Sequence, residues 1–104
     1  MDMSKYMSIF KKSTKEKFDR LENLIPELKD DVKNSVLIEE LYRIIHTLKG
    51  LAKTMAFNEL AEKTDAMKKK IEPINLKEVE MSVEFLEEIE KELKELQVEF
   101  YMTY

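Results

Sequence analysis

The sequence predicts an all-α fold, an antiparallel up-down-up-down bundle of four helices that forms one domain over residues 1–104. Of the 104 residues, 43% are hydrophobic and 38% are charged, while one is glycine and two are proline. Such a composition favours helices and offers few turn residues. Apolar residues recur at helical spacing in four segments, and the short connections between the segments are typical of antiparallel neighbours.

The first predicted helix covers residues 4–28. Its apolar positions are Tyr6, Ile9, Phe10, Phe18, Leu21, Leu24, Ile25 and Leu28. Pro26 removes one backbone hydrogen bond, so we expect a kink or a loose last turn there. The polar residues 29–34 then form a loop, in which Asn34 or Ser35 caps the next helix.

The second predicted helix covers residues 36–55. Its apolar positions are Leu37, Leu41, Ile44, Ile45, Leu48, Ala52 and Met55. The third covers residues 59–72, with Asn58 as its cap and Pro73 as its stop signal. Its inner stripe consists of Leu60, Thr64, Met67 and Ile71.

The fourth predicted helix covers residues 76–100. Asn75 and Glu78 have the spacing of a capping box, which is a signal for a helix N-terminus. The apolar line of this helix consists of Val79, Val83, Leu86, Ile89, Leu93, Leu96 and Phe100.

Charge and composition limit the classes of function. The net charge is -4 at pH 7 and no basic stripe runs along the chain, which argues against a nucleic-acid partner. No apolar stretch is long enough to cross a membrane, and the first ten residues lack the apolar run of a signal peptide. The absence of cysteine fits a reducing compartment. We expect a cytoplasmic, monomeric domain without cofactor or metal.

Residues 46–51 contain the only histidine and the only glycine of the chain. A glycine inside a helix costs about 1 kcal/mol relative to alanine, so Gly50 needs a reason, and one is to leave the surface beside His46 open. A turn of 100° per residue points His46 away from the core side. Its neighbours on the helix surface are Tyr42, Arg43, Lys49, Gly50 and Lys53. The alternative is an ordinary solvated helix face on which basic residues cluster.

Phosphoryl chemistry suits this group of residues. A neutral imidazole is a nucleophile, and its reference pKa of about 6.5 leaves most of it neutral at pH 7. A phosphorylated ring would carry about two negative charges. Lys49 could steady the phosphoryl group, and Lys53 could contribute to the charge balance.

The residues from His46 to Ala52, with Thr54, Met55 and Phe57 after them, resemble the phosphoacceptor helix of histidine phosphotransfer (HPt) domains. The resemblance is closest to the N-terminal domain of CheA-type chemotaxis kinases, extends to residues 6–10 and 60–62, and covers most of the chain.

The resemblance implies a role in a two-component phosphorelay. His46 would accept a phosphoryl group, Lys49 would stabilise it, and Gly50 would let a partner approach. The donor would be the ATP-bound catalytic domain of a histidine kinase, in the same chain or another, and the acceptor an aspartate on the receiver domain of a response regulator. The chain itself would be a phosphoryl carrier without an ATP site, as part of a CheA-type kinase.

Three residues depart from the family pattern. The family has a glutamate that accepts a hydrogen bond from the inner histidine nitrogen, but Lys68 occupies that position and an ammonium group cannot accept. Asp65 stands where histidine is common, and Ala56 replaces the usual glycine. Asp65, Glu62, Glu72 or water could serve as the acceptor instead. The alternative function is a degenerate HPt fold that docks partners without phosphotransfer.

Two enzyme classes are excluded by the sequence. A di-iron bundle needs two Glu-x-x-His motifs, whereas Arg43 stands three residues before the single histidine. A nucleotide hydrolase needs a glycine-rich loop around the phosphates, and the chain has one glycine.

Overall fold

The computed structural model of the chain describes residues 3–104, which form four α-helices. They are α1 (Met3–Asp30), α2 (Ser35–Thr54), α3 (Asn58–Asn75) and α4 (Val83–Thr103). Both α1 and α3 pack against α2 and α4, so the helices follow one another around a bundle of 44 × 21 × 21 Å. The predicted four-helix bundle is confirmed.

One hydrophobic core runs through the bundle and is filled by the inner face of every helix. Its most deeply buried side chains include Phe18, Leu21, Leu24, Leu28, Leu41, Ile45, Ile71, Leu86, Ile89 and Phe100. Burial of a large apolar side chain contributes roughly 1.5–3 kcal/mol. These stripes therefore fix the rotation of each helix about its axis, and with it the side chains that point outward.

Some predicted core positions lie outside the core. Those that are exposed are Tyr6, Ile9, Val79 and Val83, and those that are only partly buried are Leu37, Ile44 and Met55. Tyr6 and Ile9 belong to the first turns of α1, and Val79 lies in the loop before α4. Helical spacing identifies the apolar side of a segment. It does not show how much of that side is covered by a neighbouring helix.

The turn between α2 and α3 depends on a left-handed residue at Ala56, where φ is 59°. The backbone N–H of Ala56 donates to the carbonyl of Lys53 at 3.0 Å, and that of Phe57 to the carbonyl of Ala52 at 2.9 Å. This pair of hydrogen bonds is a Schellman motif, whose left-handed position normally carries glycine. Phe57 then packs against Phe10, with ring centroids 5.0 Å apart.

Three of the four helices end later than predicted. α1 continues to Asp30 with Pro26 inside it, and α3 continues to Asn75 with Pro73 inside it. A proline in the last turns removes one hydrogen bond without ending the helix, and the burial of Ile74 holds the end of α3 in place. α4 extends to Thr103.

The predicted start of α4 at residue 76 is wrong. Residues 76–82 form a loop, and α4 begins at Val83. The cap is Ser82, whose Oγ accepts a hydrogen bond from the backbone N–H of Phe85 at 3.1 Å. Asn75 belongs to the last turn of α3, so the predicted capping box with Glu78 does not form. Within residues 3–104, no helix combines the length and apolar content needed to cross a bilayer.

Candidate functional site

The cap of α2 fixes where that helix begins. As predicted, Asn34 is that cap, and its Oδ1 accepts hydrogen bonds from the backbone N–H groups of Val36 and Leu37 at 3.1 and 3.2 Å. The buried side chains of α2 are Ile38, Leu41, Ile45, Leu48 and Ala52, and their packing in the core fixes the rotation of the helix. The intervening positions face outward.

His46 occupies one of these outward positions and is exposed. Within residues 3–104, no hydrogen bond reaches its imidazole, and its ring contact is with Tyr42, one helical turn earlier. The two rings are parallel within 6°, and their centroids are 6.3 Å apart. The surface location agrees with the expectation from the sequence, and neither ring nitrogen has a hydrogen-bond partner among the described residues.

Lys49, one turn after His46, reaches across to α3. Its ammonium lies 2.7 Å from Oδ1 of Asp65, while the ammonium of Lys69 lies 3.0 Å from Oδ2. The two cations lower the pKa of Asp65 to about 2, with Lys49 making the largest contribution. Asp65 is thus a carboxylate at neutral pH, and the structure pairs it with Lys49 and Lys69 rather than with His46.

Glu72, another candidate acceptor for His46, forms a hydrogen bond with Tyr42 instead. The hydroxyl of Tyr42 donates to Oε1 of Glu72 across the interface of α2 and α3, at 3.1 Å. Partial burial, together with the carboxylate, raises the pKa of Tyr42 above its ordinary value. The phenol therefore stays protonated at neutral pH and keeps its role as donor.

The remaining predicted site residues lie around this pair of helices. Lys53 is exposed on α2, and Lys68 is partly buried on α3; neither makes an ion pair with another described residue. Lys49, Lys53 and Asp65 line a common cleft of about 270 Å³. Apart from the adjoining residues and the nearby backbone of α2 itself, a Cβ at Gly50 would meet no atom of the described residues within 4 Å, so the surface there is open.

The structure brings together Lys49, Lys53 and Asp65, and separately pairs His46 with Tyr42. Tyr42 received no role from sequence reasoning. Its position beside His46 was expected, since residues four apart are neighbours on a helix surface. Its hydrogen bond to Glu72 depends on how α2 packs against α3, and no local sequence pattern predicts it.

Comparisons with known proteins agree with this architecture. A family model described as "Hpt domain" matches residues 5–99. The chain is similar to the chemotaxis protein CheA of Bacillus subtilis, with 28% identity over 87 residues, and to CheA of Listeria monocytogenes, with 29% identity over 68 residues. The matches cover 84% and 65% of this chain, and 13% and 11% of the relatives.

A solved structure is similar over nearly the whole chain. It is the CheA phosphotransferase domain from Thermotoga maritima, with a TM-score of 0.84 and 26% sequence identity. The superposition covers 92% of this chain and 91% of that domain.

Proposed function

We propose, from the premise that this chain belongs to the Hpt domain family, that it is a histidine phosphotransfer module of chemotaxis signalling with His46 as its phosphoacceptor. The observation that carries the proposal is the exposed imidazole of His46 on α2, to which no residue in the described range 3–104 forms a hydrogen bond. The similarity to CheA proteins supports the signalling context.

The first step loads the histidine. A lone pair on an imidazole nitrogen of His46 forms a bond to the γ-phosphorus of ATP, which is held by the catalytic domain of a histidine kinase. The bond from that phosphorus to the bridging oxygen breaks, and ADP leaves with the electron pair. The proton on the other ring nitrogen passes to water, because Lys68 offers no acceptor. Catalysis of this kind depends chiefly on positioning and charge balance.

The second step unloads the histidine. A carboxylate oxygen of an aspartate on a receiver domain forms a bond to phosphorus, and the N–P bond breaks. Its electron pair returns to the ring nitrogen while the other ring nitrogen takes back a proton from water, so that the leaving group is a neutral imidazole. Such a domain must approach the ring closely. Gly50 has no side chain, and a Cβ there would meet no described residue outside its own stretch of α2. This open surface beside His46 supports an approach of the receiver domain over Gly50.

The lysines near the cleft supply positive charge. A phosphorylated ring carries about two negative charges. Lys49 has three N–H donors, so it can keep Asp65 as one partner and donate to a phosphoryl oxygen with another. Lys53 makes no ion pair among the described residues and is available to add a second charge.

The proposal is tested by following radiolabel from ATP. With a CheA-type kinase catalytic domain, we expect the wild-type chain to take up label and the His46→Gln variant to take up none. Addition of a receiver domain should then move the label from the chain to the receiver. The positive control is another Hpt domain that the same kinase labels in a parallel reaction. If that control is labelled and the wild-type chain is not, the proposal is refuted.

A second candidate is a docking module that binds these partners without phosphotransfer. It is favoured by Lys68, which leaves the imidazole without the family's carboxylate acceptor. In that case partner binding should be unchanged in a His46→Ala variant, and no phosphate should reach the wild-type chain. Transfer through His46 at the rate of an ordinary Hpt domain would rule it out.

A further inference from the structure

Tyr42 lies one turn before His46, and its ring is beside the imidazole. Helical side chains lean toward the N-terminus, so a side chain overlaps the one four residues earlier. The imidazole accordingly lies beside the tyrosine ring, parallel within 6° at a centroid distance of 6.3 Å. Aromatic rings attract each other at such separations.

The far end of Tyr42 is fixed to the neighbouring helix. Its hydroxyl donates to Oε1 of Glu72 on α3, at 3.1 Å. The side chain is therefore held at two points, by the backbone of α2 and by Glu72. Without the bond to Glu72, this partly buried ring would have more freedom to change rotamer.

No other described side chain orients the imidazole through a hydrogen bond or ring contact. The α3 position that the family fills with a carboxylate holds Lys68, which can only donate. A free imidazole would lose rotamer entropy each time it adopted the reactive orientation. A fixed ring beside it lowers that cost, because a nucleophile already held in place reacts faster.

We propose that Tyr42 is a positioning residue for His46, and that Glu72 acts through Tyr42. The inference rests on the proposed phosphotransfer function and concerns how the ring is oriented where the family's carboxylate is missing. Tyr42 restricts the imidazole by occupying the space beside its ring, and it leaves both nitrogens open to a phosphoryl donor.

The test measures the single-turnover rate of phosphorylation at saturating kinase catalytic domain and ATP. The Tyr42→Leu variant loses the ring, and we expect its rate to fall roughly tenfold. The Tyr42→Phe variant keeps the ring but loses the bond to Glu72, so a fall of about two- to threefold is expected. Tyr101→Leu removes an exposed tyrosine from α4 and should leave the rate unchanged.

Variants at position 72 separate orientation from simple support of the fold. Glu72→Ala should lower the rate as Tyr42→Phe does. Glu72→Gln retains an oxygen that accepts from the hydroxyl, and should restore most of the rate. In NMR spectra, the carbon-bound ring protons of His46 should shift in Tyr42→Leu, where the ring current of the tyrosine is lost, and much less in Tyr42→Phe.

The outcomes distinguish the two proposals. If the wild-type chain is phosphorylated and Tyr42→Leu matches its rate, the positioning role is wrong while the proposed function stands. The same conclusion follows if the ring protons of His46 do not move in Tyr42→Leu. If an active kinase leaves the wild-type chain without phosphate, the proposed function fails, and the positioning role fails with it.

Discussion

A methyl group at position 50 would meet no described residue outside its own stretch of α2, and glycine there lowers helix stability. We therefore predict that Gly50→Ala raises the free energy of unfolding by about 1 kcal/mol, measured by urea denaturation. The same variant should slow phosphoryl transfer from His46 to a receiver domain, since the added group stands where the partner approaches.

Val36→Ala provides the control for Gly50. Val36 is 72% exposed at the start of α2, ten residues before His46 and about 15 Å away along the helix. Alanine there also favours the helix, so stability should rise without any change in transfer. Equal transfer rates for Gly50→Ala and the wild-type chain would show that Gly50 does not serve partner approach.

Lys68 is the residue at which the site departs furthest from the family pattern. Replacement by glutamate supplies an acceptor that can hold one ring nitrogen protonated and leave the other free to attack. We predict that Lys68→Glu speeds phosphorylation of His46 on the order of tenfold, measured in single-turnover assays with a kinase catalytic domain. Lys94→Glu makes the same change of charge at an exposed position on α4 and should have little effect. A rate for Lys68→Glu at or below that of the wild-type chain would contradict the prediction.

At the scale of elements, the end of α2 holds an alanine in a conformation that suits glycine. The left-handed region costs a non-glycine residue roughly 1–2 kcal/mol, part of which is offset by the greater freedom of glycine in the unfolded chain. With φ at 59°, Ala56→Gly should stabilise the domain by about 0.5–1 kcal/mol. Thermal and urea unfolding would measure the change.

The matched control is the same substitution within a helix. Ala66 is exposed in the middle of α3, so Ala66→Gly should destabilise the domain by about 1 kcal/mol. Loss of stability in both variants would mean that the turn at Ala56 does not favour glycine.

The contact between α2 and α3 through Asp65 should depend on pH. The pKa of Asp65 is lowered from 3.8 to about 2 in the folded chain, mainly by Lys49 and then by Lys69. A carboxyl group with a lower pKa in the folded state stabilises it above its unfolded pKa and loses that effect as the pH falls through the folded value. The difference in unfolding free energy between the wild-type chain and Asp65→Asn should therefore be constant above about pH 5 and shrink between about pH 4 and pH 2. A difference that does not change over that interval would contradict the ion pair.

At the scale of the whole molecule, apolar spacing was sufficient to predict the bundle and the helical segments. The stripes of α1 and α2 match the buried residues from Phe10 to Leu28 and from Leu41 to Ala52 closely. The start of α4 could not be predicted in this way. Asn75 and Glu78 satisfy a local capping pattern, but the chain uses residues 76–82 to cross from α3 to α4, with Lys77 in the left-handed region. The length of chain needed for this crossing depends on how far apart α3 and α4 lie in the packed bundle.

The candidate site was predictable to the extent that it lies on one helix. The outward position of His46 follows from the phase of α2, and so does the proximity of Lys49, Gly50 and Lys53. The pairing of Lys49 with Asp65, like that of Tyr42 with Glu72, joins α2 to α3. Such contacts depend on the relative height and rotation of two helices, which a single sequence does not specify.

The central claim, that His46 carries the phosphoryl group, is tested most directly by mass-spectrometric mapping of the phosphorylated chain. After incubation with ATP and a CheA-type kinase catalytic domain, the account predicts one acid-labile phosphate, located on the imidazole of His46, and none in His46→Gln. Phosphate on another residue would contradict the account. So would an unmodified chain when a control Hpt domain is phosphorylated in a parallel reaction.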